Sequence, residues 1–145
     1  MAANSAPIFS KNGHNQWVGA ITAANNTKDL TSGTSYLVCT ADATNGSWLR
    51  GFKIKVDPAN SSAASVMRFW LNNGSTVGTA ANSIFIGEIS IPAVTASATA
   101  AQIELFYAPV QTGMALNPGY SVYVTIGTAP GGSAQFSVCA VLGDY

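Results

Sequence analysis

Residues 52–56 read Phe-Lys-Ile-Lys-Val, so apolar and charged side chains alternate strictly along this segment. Successive side chains of a β-strand point to opposite faces, and the alternation therefore predicts a strand with one buried face and one face in water. Residues 121–126, Ser-Val-Tyr-Val-Thr-Ile, and residues 136–142 near the C-terminus repeat the pattern. Together these segments predict antiparallel sheets that pack against each other by one face.

Short β-rich segments separated by Gly, Asn, Pro and Ser continue through the rest of the chain, and no segment shows sustained helical periodicity. We predict about eight strands, near residues 16–22, 35–41, 47–57, 64–72, 83–91, 102–108, 120–127 and 134–142. Strands at this spacing predict an all-β fold, a single-domain antiparallel β-sandwich. Residues 1–15 are expected to form an N-terminal arm and residues 16–145 the sandwich domain.

Asn-Gly pairs predict several of the turns. Asn45-Gly46 is a strong hairpin signal, which we expect to join the strand ending near Ala41 to the strand starting near Ser47. Asn12-Gly13 and Asn73-Gly74 predict two further turns.

The alternation also assigns the large aromatic side chains to faces. Trp48 has the same parity as Phe52, which predicts a place in the core or in an interface. Phe85 is expected on the same face as Ile89. Trp17 lies beside an Asn/Gly-rich segment and is expected to be the freest of the tryptophans.

Two segments, 66–71 and 103–107, are apolar on both faces except for one charged residue each. An outer face of this kind must be covered, either by a long loop or by a neighbouring subunit. We favour the subunit, because the chain has so few charges to keep surfaces apart. The expected interface residues are Met67, Phe69 and Leu71 as apolar contacts, with Arg68 and Glu104 as polar contacts.

Charged residues make up only 8% of the 145-residue chain, against about 25% in ordinary domains. Six Lys and Arg balance six Asp and Glu. This balance gives no electrostatic reason to expect nucleic acid or an anionic membrane as a partner. It also leaves little charge repulsion to oppose self-association, and so it favours a structural or assembly protein.

The sequence contains little of the chemistry that enzymes use. His14 is the sole histidine, and we expect it in a surface loop. There is no Gly-x-Ser-x-Gly motif, no phosphate-binding glycine loop and no Cys-x-x-Cys pair. We therefore expect no enzyme activity, no catalytic or metal-binding residues and no cofactor.

Cys39 and Cys139 each lie in an apolar strand-like segment. The expectation is two small buried side chains in a reducing compartment. A disulfide between them requires neighbouring strands, and the sequence leaves that question open. The N-terminal residues have neither the basic nor the apolar region of a signal peptide, so we expect synthesis in the host cytoplasm.

Three segments, 24–33, 41–46 and the closing Val-Leu-Gly-Asp-Tyr at 141–145, resemble small virion proteins of tailed bacteriophages. The resemblance implies a jelly-roll-like β-sandwich and a role as a capsid decoration (cement) protein at the capsid surface. It also implies homotrimers that bridge neighbouring capsomers, so that the partners are the chain itself and the major capsid protein. It carries over no functional residue.

Anchoring to a capsid is then expected to use the N-terminal segment around Pro7, Ile8 and Phe9 together with the apolar sheet surfaces. The alternative is a tail-associated or adhesin-like carbohydrate-binding module, with Trp17 and residues 12–16 in contact with the sugar.

Overall fold

The structure, a computed structural model, describes residues 11–145, so Pro7, Ile8 and Phe9 lie outside the described residues. Residues 11–145 contain nine β-strands and, as their helical structure, one short 3₁₀ turn at Ala80–Asn82. The strands are β1 (Asn12–Ile21), β2 (Tyr36–Thr40), β3 (Ser47–Val56), β4 (Ser65–Asn72), β5 (Ser83–Ile91), β6 (Glu104–Tyr107), β7 (Met114–Leu116), β8 (Ser121–Ile126) and β9 (Phe136–Asp144). The predicted all-β fold is confirmed. No helix among the described residues is long and apolar enough to cross a membrane.

The strands form two antiparallel sheets. Sheet A has the order β1-β9-β3-β6, with β7 also paired to β3, and sheet B has the order β2-β8-β4-β5. The pairing is nested, because β1 pairs with β9, β2 with β8, β3 with β6 and β7, and β4 with β5. If β6 and β7 are counted as one interrupted strand, this is the eight-stranded arrangement of a jelly roll. The predicted sandwich is therefore a jelly roll.

The core lies between the two sheets and is centred on aromatic rings. Phe52 of sheet A stacks on Phe69 of sheet B with ring centroids 4.5 Å apart, and Tyr107 stacks on Phe69 at 4.6 Å. Phe69 and Met67 are fully buried in this layer. They therefore have no surface for a second subunit, which corrects the prediction that they form an interface. Leu71 is half-buried and packs against the same core.

One side chain closes each open edge of the sandwich. At the β1–β2 edge, the Gln16 amide donates to the carbonyl of Thr40 and accepts from its N–H, both at 2.8 Å. At the β5–β6 edge, the Tyr107 hydroxyl donates to the carbonyl of Ile86 at 3.3 Å. Unpaired backbone groups at sheet edges are sites of unwanted strand pairing, and these two side chains satisfy part of them.

Two β-bulges reverse the predicted faces of two aromatic residues. Arg50 is an extra residue of β3 opposite β9, and Ile86 is an extra residue of β5 opposite β4. A one-residue insertion moves every preceding side chain to the other face. Trp48 and Phe85 consequently lie on outer faces, and the prediction that Phe85 shares the face of the inward-pointing Ile89 is wrong.

Several local predictions also need correction. The segment at Asn45-Gly46 does not form a hairpin, because it leads from β2 in sheet B to β3 in sheet A. There the Asp42 carboxylate accepts hydrogen bonds from the backbone of the turn, and Gly46 has a φ of 78°, which favours glycine.

Strand β1 begins at Asn12, so residues 12–15 belong to sheet A rather than to an arm or a turn. The short strand β7 was not predicted.

Candidate interaction surface

The outer surface of sheet A carries exposed aromatic rings, and we call it face A. One row of cross-strand partners runs across the whole sheet, from Trp17 through Cys139 and Lys53 to Phe106. Trp17 is 74% exposed and Phe106 is 57% exposed, although both are large apolar residues within strands. Large apolar side chains with this much exposure on one sheet face mark an interaction surface.

Trp48 adds a third ring to face A. It lies beside Gly143 of β9 and Ala115 of β7, and it is 36% exposed. The Phe106 ring lies over Gly51, where an added Cβ would come within 2.6 Å of the ring. Small residues between the aromatic rings therefore keep the surface flat, which suits contact with another extended surface.

The charges near this row are partly neutralised, because two lysines share one carboxylate. Lys53 and Lys55 each place Nζ 3.1 Å from a carboxylate oxygen of Glu104. Hydrogen bonds from Lys55 and then Lys53, followed by their positive charges, lower the pKa of Glu104. The predicted polar contact Glu104 thus lies on an outer face, as expected, but it finds its partners within its own chain. Exposed pairs of this kind contribute little to stability, and here Glu104 offsets one of the two lysine charges on face A.

His14 lies in β1 rather than in the predicted loop, and its surroundings do not build a nucleophile. Its Nδ1 is 3.5 Å from the Asp144 carboxylate, and Ser47 donates to the other oxygen of Asp144 at 2.5 Å. In a Ser-His-Asp triad the imidazole lies between the hydroxyl and the carboxylate. Here the carboxylate lies between the other two groups, and Ser47 is buried, so the imidazole does not activate the hydroxyl.

The described residues contain no cluster of His, Cys, Asp or Glu suited to a metal ion. Cys39 and Cys139 lie in different sheets and are unpaired. Cys39 points into the core, where burial raises the pKa of its thiol to about 12, whereas Cys139 lies on face A beside Trp17. The structure therefore answers the question that the sequence left open, and no disulfide joins these two residues.

The outer surface of sheet B, which we call face B, is partly covered by the β1–β2 connection, residues 22–35. Asn25 donates its backbone N–H to the carbonyl of Ile126, and Leu30 is buried. Trp70 points outward from β4 but is only 3% exposed, with Nε1 donating to Thr125 at 3.1 Å. The chain's own loop therefore lies over this part of the doubly apolar strand, which corrects the expectation of a neighbouring subunit there.

Arg68, the other predicted polar contact, also lies on face B. Its Nε donates to Glu88 of β5 at 3.2 Å, and its side chain is 15% exposed. Sequence reasoning predicted a covered outer face for residues 103–107 but did not single out Phe106, which is exposed there. It missed Phe85 as an exposed ring on the opposite side of the molecule. The alternation of Lys53 and Lys55 with apolar residues predicted that this face of β3 is an outer surface. The two bulges that turn Trp48 and Phe85 outward leave no clear signal in the sequence.

Comparison with known proteins finds no sequence relative. No family model and no curated protein matches the chain. Among solved structures, a chain in the structure of infectious bursal disease virus, Gx strain, is similar at a TM-score of 0.31 and 9% sequence identity. The match covers 98% of this chain and 34% of that one, so this chain spans about a third of its viral neighbour. A likeness of this degree carries no functional argument.

Proposed function

We propose that this chain is a non-enzymatic structural protein of a virus particle, and that it attaches to other protein subunits through face A. The observation that carries this proposal is the set of exposed rings on one flat sheet surface, Trp17, Trp48 and Phe106. The scarcity of charge in the chain supports it, because little charge repulsion opposes contact between subunits.

The size of this surface favours repeated contacts over a single strong one. Three partly exposed rings offer roughly 300 Å² of aromatic area, from about 150–250 Å² for each complete side chain. Its burial contributes roughly 7 kcal/mol at about 25 cal/mol per Å². Association costs about 4–15 kcal/mol, so one copy of face A binds weakly. Several linked copies on a repetitive shell bind much more tightly through effective concentration.

Weak single contacts that become strong when several copies are linked suit a capsid decoration protein, which is the finer proposal. A homotrimer would present three copies of face A to the major capsid protein at junctions between capsomers, and its binding would stabilise the assembled shell by mass action. We propose synthesis in the host cytoplasm and a final location at the capsid surface. The segment at Pro7, Ile8 and Phe9 remains a predicted additional contact.

A carbohydrate-binding module of a tail or adhesin is the second candidate, and the exposure of Trp17 favours it. The jelly roll is also the fold of many lectins, so the architecture fits both functions. The two proposed functions differ in whether the bound partner contacts Phe106. A sugar bound at Trp17 does not extend across four strands to Phe106, whereas a protein surface covers both rings.

The test is a pelleting assay with particles of the encoding virus that lack this protein. Wild-type chain is expected to pellet with the particles, and Phe106→Ser is expected to reduce the bound amount at least tenfold. Phe85→Ser is the matched control, because it removes a ring of similar exposure, 50%, from the opposite sheet. Equal binding of Phe106→Ser and wild type would contradict the proposal. Binding to glycans that only Trp17→Ser abolishes would favour the second candidate.

A further inference from the structure

A groove runs along face B, between the β1–β2 connection and β5. Its floor is formed by the outward side chains of β4, Val66, Arg68 and Trp70, which span about 13 Å at 3.3 Å per residue. Two depressions make up the groove, with volumes of about 530 Å³ and 310 Å³, and Arg68 lines both. The walls are Asn26 and Lys28 on the loop side, and Phe85, Glu88 and Ser90 on the β5 side.

Positive charge predominates in the smaller depression. Lys28 and Arg68 line it together with Glu88 as the one carboxylate, and Lys28 makes no salt bridge with any residue in 11–145. Of the Arg68 nitrogens, only Nε has a partner among the described residues. Nη1 lies close to Gly127, shielded from solvent and without a hydrogen bond in this part of the chain. Because Nη1 is shielded from solvent, the donor left for a ligand is Nη2, which also has no hydrogen bond in residues 11–145. A guanidinium donor in the same depression as the Lys28 ammonium favours a carboxylate ligand.

The same depression has a rigid aromatic wall. Trp70 and Phe85 meet edge to face, with ring centroids 5.3 Å apart, and the indole is fixed by its hydrogen bond to Thr125. Phe85 leaves half of its surface exposed towards the groove region. An exposed ring of this kind offers a flat apolar surface to the face of a sugar ring.

We propose that this groove binds an acidic carbohydrate, whose carboxylate lies between Arg68 and Lys28 and whose ring packs on Phe85. The amide of Asn26 and the hydroxyl of Ser90 are suited to sugar hydroxyl groups. An extended peptide fits less well, because the floor of the groove consists of side chains and offers no backbone ladder for strand addition. The site lies on the sheet opposite face A, so it is independent of the proposed attachment to a shell.

The experiment is calorimetric titration of the full chain with a trigalacturonate and with its carboxyl-reduced, neutral counterpart. We expect measurable binding of the acid and at least tenfold weaker binding of the neutral sugar. Lys28→Met and Arg68→Met should each weaken binding of the acid about tenfold, since each removes a charge-assisted contact. Lys53→Met is the matched control, because it removes the same charge from face A and should leave the affinity unchanged.

Four results would overturn the proposal: no binding of the acid, equal binding of the neutral sugar, equal losses in Lys28→Met and Lys53→Met, or tighter binding of an acidic peptide than of the trigalacturonate. Lys28 is an exposed loop residue, so its variant keeps the test valid if Arg68→Met fails to fold. Particle pelleting by Lys28→Met should equal that of wild type, which separates this proposal from the proposed function.

Discussion

Tyr107 and Gly87 show how one residue can fix an edge of the sandwich. The Tyr107 ring stacks in the core while its hydroxyl reaches Ile86 on the neighbouring sheet. The hydroxyl occupies the space that a Cβ at position 87 would need, and Gly87 has a φ of 143°. The closing contact between β5 and β6 therefore depends on the absence of a side chain.

Gly87→Ala is expected to destabilise the fold by about 2 kcal/mol, through overpacking and backbone strain. Chemical denaturation measures this change. Gly13→Ala is the control, because nothing lies within 4 Å of a Cβ at that position. The double variant Gly87→Ala, Tyr107→Phe should lose less stability than the sum of the two single losses, because the hydroxyl that blocks the new Cβ is gone. Strict additivity of the two changes would show that the contact does not determine the choice of glycine.

Three carboxylates predict how stability depends on pH. Backbone hydrogen bonds from Asn45 and Thr44 lower the pKa of Asp42, and a side-chain hydrogen bond from Asn60 lowers that of Asp57. The pKa of Glu104 is lowered by Lys55 and Lys53. Each pKa is thus lower in the folded chain than in the unfolded chain, so the unfolded chain binds more protons as the pH falls.

The free energy of unfolding should therefore be constant near neutral pH and decrease progressively below about pH 5, as the pH falls through the folded pKa values. Denaturation midpoints at neutral and acid pH measure the effect. Lys55→Met should flatten the decrease by removing the first partner of Glu104, whereas Lys11→Met should not. A midpoint that stays the same or rises on acidification would contradict this account.

At the scale of elements, the β1–β2 connection is held together by the hydrogen bonds of one side chain, Asn25. The Asn25 side chain donates to the carbonyls of Ser32 and Thr34 at 2.9 and 3.0 Å and accepts from the backbone and hydroxyl of Thr27. Gly33, with a φ of 78°, leaves the space that Asn25 fills. One buried amide therefore holds the loop in the shape that covers Trp70.

Asn25→Ala should destabilise the chain by about 2 kcal/mol and loosen this cover, because the loop carbonyls lose their donor. In a background of Trp17→Phe and Trp48→Phe, the fluorescence emission reports on Trp70 alone. We expect a red shift in Asn25→Ala and none in Asn26→Ala, the exposed neighbour. Unchanged emission in Asn25→Ala would mean that the loop does not depend on this residue.

The elements also show what could be predicted from sequence. All eight predicted strands occur, because the alternation of apolar and polar residues reports directly on burial. The faces of Trp48 and Phe85 were not predictable in the same way, since one extra residue at Arg50 and another at Ile86 reverse the parity. The alternation in residues 121–126 has no such interruption in its pairing with β4. Bulges depend on the partner strand, and a single strand's sequence does not contain that information.

What covers the outer face of an apolar strand was equally hard to predict from sequence. The sequence of β4 correctly showed that both of its faces are apolar, but not whether a loop or a subunit covers the outer one. Residues 22–35 look like a polar linker, and their role over Trp70 depends on the hydrogen bonds that Asn25 makes across the loop. For residues 103–107 the sequence likewise showed two apolar faces and predicted a contact surface. In the structure Leu105 and Tyr107 pack on the core, while Phe106 is exposed on the outer face.

At the scale of the whole molecule, the two sheets present two different outer surfaces. Face A is flat and carries three exposed aromatic rings beside the pairs of Lys53 and Lys55 with Glu104, and face B has a groove lined by Lys28 and Arg68. Jelly rolls place their sheets back to back, so each outer surface acts without interfering with the other. This separation allows one small domain to attach to a protein shell and to keep a second surface free.

Face A binds protein in this account, and titration of virus particles that lack this chain tests that binding most directly. The double variant Trp17→Ser, Phe106→Ser is predicted to need at least a tenfold higher concentration than wild type to fill half of the binding sites, while Phe85→Ser behaves as wild type. Equal half-saturation concentrations for wild type and the double variant would contradict the account.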